Sequence, residues 1–157
     1  MKYTRLTKEQ FEELQQEFIN FLATQSITAD EWSNLKVNSP EMAEMELDVF
    51  SDLIWEGVLQ NVSFLENISP QQLFLFHMAE EKTTLITLRV LTTEIDITKA
   101  EGYKWLKENY STDDVEFYTA SKDYSEDKNT DIFSLIKQGA VITKGALFNF
   151  FEKIINV

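Results

Sequence analysis

Phe11, Leu14, Phe18, Phe21 and Leu22 recur at the three- and four-residue spacing of an amphipathic helix, with Glu9, Glu13, Gln16, Glu17 and Asn20 on the other side. The pattern predicts a helix over about 8–25. It opens at Thr7, whose hydroxyl caps the first turn while Gln10 reaches back as a Thr-x-x-Gln capping box. Thr28 and Glu31 repeat the box before a short helix over 29–37 that carries Trp32 and Leu35. Ser39-Pro40 then supplies an N-cap followed by proline at the first helical position, where its missing N–H costs nothing, and opens a longer helix over about 40–60.

The pattern changes after Asn61. Residues 62–66, short and mostly apolar, read as a first strand, and Leu73-Phe74-Leu75-Phe76-His77-Met78 alternates as a strand over 72–78. Across the polar Ala79-Glu80-Glu81-Lys82, the β-branched stretch 83–91 completes a hairpin. Thr98 is placed to cap a helix over 99–109, and Val115-Glu116-Phe117-Tyr118-Thr119 reads as a strand over 115–120, so that strand, helix and strand follow in an order that permits a crossover. Helices over 131–138, ended by Gly139, and 144–156, opened by Thr143, close the chain. The expected fold is α+β: N-terminal helices, a small and mostly antiparallel sheet, and further helices. No repeat or Pro/Gly-rich linker marks a boundary, so a single domain over 1–157 is expected.

Two stretches carry a family likeness. They are Lys2-Tyr3-x-Arg5-Leu6-Thr7-Lys8-Glu9-Gln10 with Phe18-Ile19-Asn20-Phe21-Leu22-Ala23, and Glu116-Phe117-Tyr118-Thr119-Ala120-Ser121 with Gly139-Ala140-Val141-Ile142-Thr143. Together they resemble a family of uncharacterised proteins of flavobacteria and related bacteria, a domain of unknown function, over nearly the whole chain. The resemblance implies a bacterial cytosolic origin and no activity, cofactor or catalytic residue.

Composition narrows the chemistry. The chain has no cysteine, which removes disulfides, thiol nucleophiles and cysteine-ligated metals. A net charge of -13 opposes binding to phosphate backbones and anionic membrane surfaces. The N-terminus lacks the apolar core of a signal peptide, so a cytoplasmic location is expected. No cofactor is expected.

Three constellations are candidates for function. Asp123, Ser125, Asp127, Asn129 and Asp131 place oxygen ligands at alternate positions like a calcium loop, a weak regulatory possibility. Lys128 occupies the position of the turn glycine and Ser134 that of the bidentate glutamate, so a solvated loop ending at an N-cap near Thr130 is the ordinary alternative. His77 is the single histidine and the one side chain that titrates near neutrality without perturbation; a ligand or catalytic pocket would use it with Arg89 and Tyr118, although a packed histidine is the commoner outcome. No Gly-x-Ser-x-Gly elbow or glycine-rich phosphate loop supports catalysis.

The long helix gives the third. Glu41, Glu44, Asp48, Asp52 and Glu56 step by three or four residues along one face, and 38–61 contains no Lys or Arg. Such a stripe is mildly destabilising unless something basic faces it. Trp55 and Leu59 project within that face, while Met42, Val49, Phe50, Leu53, Ile54 and Val58 spread over the opposite arc. A tryptophan rimmed by acids resembles an interface anchor, against the alternative that Trp55 packs on the first helices. The expected function is a non-enzymatic binding or adaptor module that holds a protein partner with a basic surface through Glu41, Glu44, Asp48, Asp52, Trp55, Glu56 and Leu59.

Overall fold

The computed structural model describes residues 1–155. The chain divides into two compact units, Met1–Val58 and Leu59–Val157, with the boundary inside the last turn of the long helix.

The first unit is helical: α1 (Lys8–Glu13), α2 (Gln15–Thr24), α3 (Ala29–Asn38) and α4 (Pro40–Leu59). The capping box forms as expected, the Gln10 N–H donating to Thr7 Oγ1 at 3.2 Å and the Thr7 N–H to Gln10 Oε1 at 2.8 Å. The helix expected over 8–25 is broken at Leu14, whose φ of -101° and ψ of 23° leave the helical region. Thr28 caps α3 by accepting the Glu31 N–H. Leu6, Phe21, Leu22 and Phe50 form the buried centre, against which Phe11, Leu14, Phe18, Trp32, Ile54 and Trp55 pack. Phe18 alone meets Phe11, Trp32 and Phe50 edge-on with ring centres 5.0–5.8 Å apart, a favoured arrangement of aromatic quadrupoles.

The second unit holds β1 (Phe64–Ser69), β2 (Gln72–Met78), β3 (Lys82–Val90), α5 (Ala100–Asn109), β4 (Val115–Asp123), α6 (Lys128–Lys137), β5 (Val141–Thr143) and α7 (Ala146–Ile155). The strand order is β4-β3-β2-β1-β5, with every neighbouring pair antiparallel. The α+β architecture with an antiparallel sheet is therefore as expected. The strand, helix, strand segment is not a crossover: β3 and β4 are antiparallel neighbours, so residues 91–114 leave and re-enter the sheet at the same end.

Leu73, Leu75, Ile86, Leu88, Val90 and Val115 make one apolar sheet face, covered by Leu106 of α5 and by Phe148 and Phe151 of α7. Gly102 lets α5 approach closely, since a Cβ there would lie 1.8 Å from the Asp96 carbonyl oxygen.

Several boundaries differ from expectation. Thr98 binds Asp96 instead of capping α5, which begins after Lys99 without a side-chain cap. The N-cap of α6 is Asp127, not a residue near Thr130, and the helix starts at Lys128. Gly139, with φ of 106°, ends α6. Val141–Thr143 had no expected strand, yet it pairs with β1 as the short edge strand β5. Three residues are too few to carry a period-two signal. The last expected helix ran to 156; Asn156 lies outside the described residues.

Candidate functional site

Helix α4 has three longitudinal faces. Ala43, Phe50 and Ser51 are buried and Leu47 and Ile54 half-buried on the face directed into the first unit. The acidic stripe forms a second face, and it is occupied by the chain's own N-terminal segment. Asp52 accepts the backbone N–H of Lys2 at 2.7 Å and of Tyr3 at 2.9 Å. Glu56 accepts from Lys2 Nζ at 2.8 Å and from the Tyr3 hydroxyl at 2.5 Å. The Arg5 guanidinium pairs with Asp48, through Nε at 2.8 Å and Nη2 at 2.6 Å, and with Glu44. Next to these, the buried Leu6 N–H donates to Ser51 Oγ at 3.1 Å.

The basic groups missing from 38–61 are thus supplied from residues 2–5. Burial, followed by the hydrogen bond to Glu56, pushes the Tyr3 hydroxyl up to about 12, and Asp48 and Glu44 hold Arg5 more firmly protonated. Of the seven residues expected to meet a partner, Glu44, Asp48, Asp52 and Glu56 bind residues 2–5. Trp55 packs on the core of the first unit with its ring centre 6.4 Å from that of Tyr3. Leu59 is 0% exposed, which corrects its placement on a binding surface. Of these seven, Glu41 is the one that is exposed and has no ion pair among the described residues.

The third face takes in Met42, Val49 and Leu53 from the arc that the sequence set apart from the acids. Met42, Met45, Val49 and Leu53 are 57, 64, 53 and 57% exposed. At 100° per residue they fall within an arc of about 80° on the side away from Phe50 and Ile54. Exposed Glu41 and half-buried Glu46 border the stripe. Met45 and the clasp residues Lys2, Tyr3 and Arg5 were not singled out from the sequence. The signal was present in part: the apolar residues of 40–60 span more of the helix circumference than one packed face can bury.

The other two constellations do not assemble. His77 pairs in register with Phe64 and Thr84 and stacks on the Phe64 ring at 4.6 Å, with Phe148 at 5.4 Å. By strand alternation it shares the face of Leu73 and Leu75, whereas Arg89 and Tyr118 point to the opposite face. Tyr118 donates its hydroxyl to Glu116 at 2.6 Å.

In the 123–131 loop the Asp127 carboxylate accepts the Thr130 N–H at 2.8 Å as the N-cap of α6, and Asp131 accepts from the Ser125 N–H at 3.0 Å and hydroxyl at 2.5 Å. The oxygens thus close the turn. Among the described residues no group of three or more His, Asp and Glu side chains is placed to hold a metal ion. A cleft of about 380 Å³ lies between α6 and the sheet, lined by Phe76, Leu85, Lys122, Asp131, Ser134 and Leu135 among others, and none of His77, Arg89 and Tyr118 reaches it. Among the described residues no helix is long and apolar enough to cross a membrane.

A family model described as a family of unknown function, DUF6495, matches residues 1–156, and the chain belongs to that family. No curated protein and no solved structure matches the chain.

Proposed function

We propose, from membership of a family that carries no activity to transfer, that this chain is a non-enzymatic protein-binding module whose docking surface is the outward apolar stripe of α4. One observation carries the reading: Met42, Met45, Val49 and Leu53 form a continuous exposed row on a helix whose other two faces meet the core of the first unit and residues 2–5. An ordered apolar row in water marks a contact surface, and methionine suits a surface that adapts to its partner.

The partner of this surface is an amphipathic helix that lays its own apolar side along the stripe with Lys or Arg at its edges. Glu41 and Glu46 supply the complementary charge, and residues 1–61 carry 12 Asp/Glu against 4 Lys/Arg, a balance of -8. The acidic residues 44, 48, 52 and 56 act in this reading as the anchor that fixes α4, and the partner reads the adjoining face. The reading places the module in a bacterial cytoplasm and assigns it neither nucleic acid nor a membrane surface as partner, in keeping with its negative field.

The test is a photo-crosslinking amino acid installed at Val49 in the source cell, with Lys8 as a control position on α1. The expected result is one adduct of defined mass from Val49, lost in Leu53→Asp while the thermal transition is unchanged, and none from Lys8. Equal adduct patterns from the two positions, or none from Val49, would overturn the proposal.

A further inference from the structure

The two edges of the sheet are treated differently. At one end β5 is three residues long, and short edge strands are a common protection against unwanted pairing. At the other end β4 runs for nine residues, pairs with β3 without a bulge from Val115 to Asp123, and is exposed from Tyr118 onward. Residues 117–121 are Phe-Tyr-Thr-Ala-Ser, with no proline, glycine or charge among them. Among the described residues nothing pairs with the outer side of β4.

The ladder fixes which groups that outer side presents. The Leu91 N–H donates to the Asp114 carbonyl at 2.8 Å, so 91 and 114 are a hydrogen-bonded pair. Alternation then makes Arg89 with Glu116, Thr87 with Tyr118, Leu85 with Ala120 and Thr83 with Lys122 the bonded pairs of β3 and β4. Phe117, Thr119 and Ser121 therefore turn their backbone N–H and C=O groups outward.

We propose that β4 is a homodimerisation strand, which pairs antiparallel with β4 of a second copy about a two-fold axis at Thr119. The register is argued from charge. With Thr119 opposite Thr119 the whole strand overlaps its copy, and the outward-facing residues 115, 117, 119, 121 and 123 pair only with one another. Lys122 then lies opposite the second copy's Glu116, and Glu116 opposite its Lys122, in non-hydrogen-bonded positions where side chains are closest. Tyr118 lies against Ala120, a large side chain beside a small one. Sliding by one residue in each copy, to a centre at Tyr118 or Ala120, removes both opposite-charge pairs. The inference concerns the second unit and does not depend on the α4 stripe.

The absence of cysteine makes the register testable. In the proposed pairing Thr119 Cα atoms are about 5.5 Å apart, within disulfide range, whereas Ser121 Cα atoms are about 14 Å apart. Under mild oxidation Thr119→Cys is expected to form a disulfide dimer and Ser121→Cys to remain monomeric, with the unmodified chain a reversible dimer by sedimentation equilibrium. Lys122→Glu should weaken the dimer about tenfold by making two like-charge contacts, and Glu116→Lys added to Lys122→Glu should restore it. A chain that stays monomeric at high concentration, equal cross-linking at 119 and 121, or a dimer that Thr119→Cys fails to trap would overturn the proposal. The last result would place self-association on another surface.

Discussion

Arg5 Nε donates to Asp48 Oδ1 across 2.8 Å, joining the segment before α1 to the middle of α4. The same guanidinium reaches Glu44 one turn away, so a single arginine neutralises two members of a stripe that would otherwise repel itself. Removing Arg5 therefore exposes the repulsion as well as losing the pair. Arg5→Ala is expected to lower unfolding stability by about 1 kcal/mol, the upper range for a partly exposed ion pair. The loss should shrink in about 1 M salt, where screening acts within a few Å. Urea melts at two salt concentrations measure both.

Tyr3 gives the clasp a pH signature. Its hydroxyl is raised from 10.0 to about 12, chiefly by burial and then by Glu56. The folded state thus holds the proton more tightly than the unfolded state. The contribution is complete below pH 10 and is lost as pH rises through about 12. Stability of the native chain should fall across that window, and Tyr3→Phe should lack this component of the slope; denaturant melts from pH 9 to 12 compare the two.

Trp55 and Leu53 stand two residues apart on α4 and predict opposite outcomes. Trp55 packs on the first unit's core, so Trp55→Ala is expected to cost about 2 to 3 kcal/mol. Leu53 is more than half exposed, so Leu53→Ser should change stability by less than about 0.5 kcal/mol. Chemical denaturation of the two variants separates a core position from a surface position on one helix.

Asp127 acts in the 123–131 loop as a cap. Asp127→Ala should destabilise by about 1 kcal/mol through loss of the bond to the Thr130 N–H. The same decrement is expected with and without millimolar calcium, by differential scanning calorimetry.

Gly102 is required by a backbone approach. A Cβ would fall 1.8 Å from the Asp96 carbonyl oxygen, which sits in a turn and not at the end of a flexible side chain. Gly102→Ala is expected to cost about 2 to 3 kcal/mol by forcing α5 off the sheet, with the loss read from the thermal transition. Gly57→Ala, where a Cβ meets nothing within 4 Å, is the control.

Legibility followed the range of the interactions involved. The Thr7 capping box, the Ser39-Pro40 start of α4, the β2–β3 hairpin and the Gly139 stop are all set by residues within a few positions of one another, and they stand where the pattern put them. The break at Leu14 and strand β5 were missed. At the first the apolar spacing continues across the break, and the second exists only because residues 141–143 find β1. In the candidate site, the acidic stripe itself was legible, but its occupant was not. Arg5 and Asp48 are 43 positions apart, and no local rule pairs them.

The sequence by itself determined the α+β class, the antiparallel hairpin, the Thr7 and Thr28 caps and the acidic face of α4, because each depends on periodicity or on side-chain hydrogen bonds within one turn. Tertiary structure alone decided which apolar arc of α4 is buried, that residues 2–5 cover the acids, that His77 and Arg89 face opposite sides of the sheet, and that β4 is an open edge. Those outcomes depend on which distant segments compete for a given surface. A helix with apolar residues around more than half its girth has more surface to bury than one packed face accepts, and only the fold selects the part left in water.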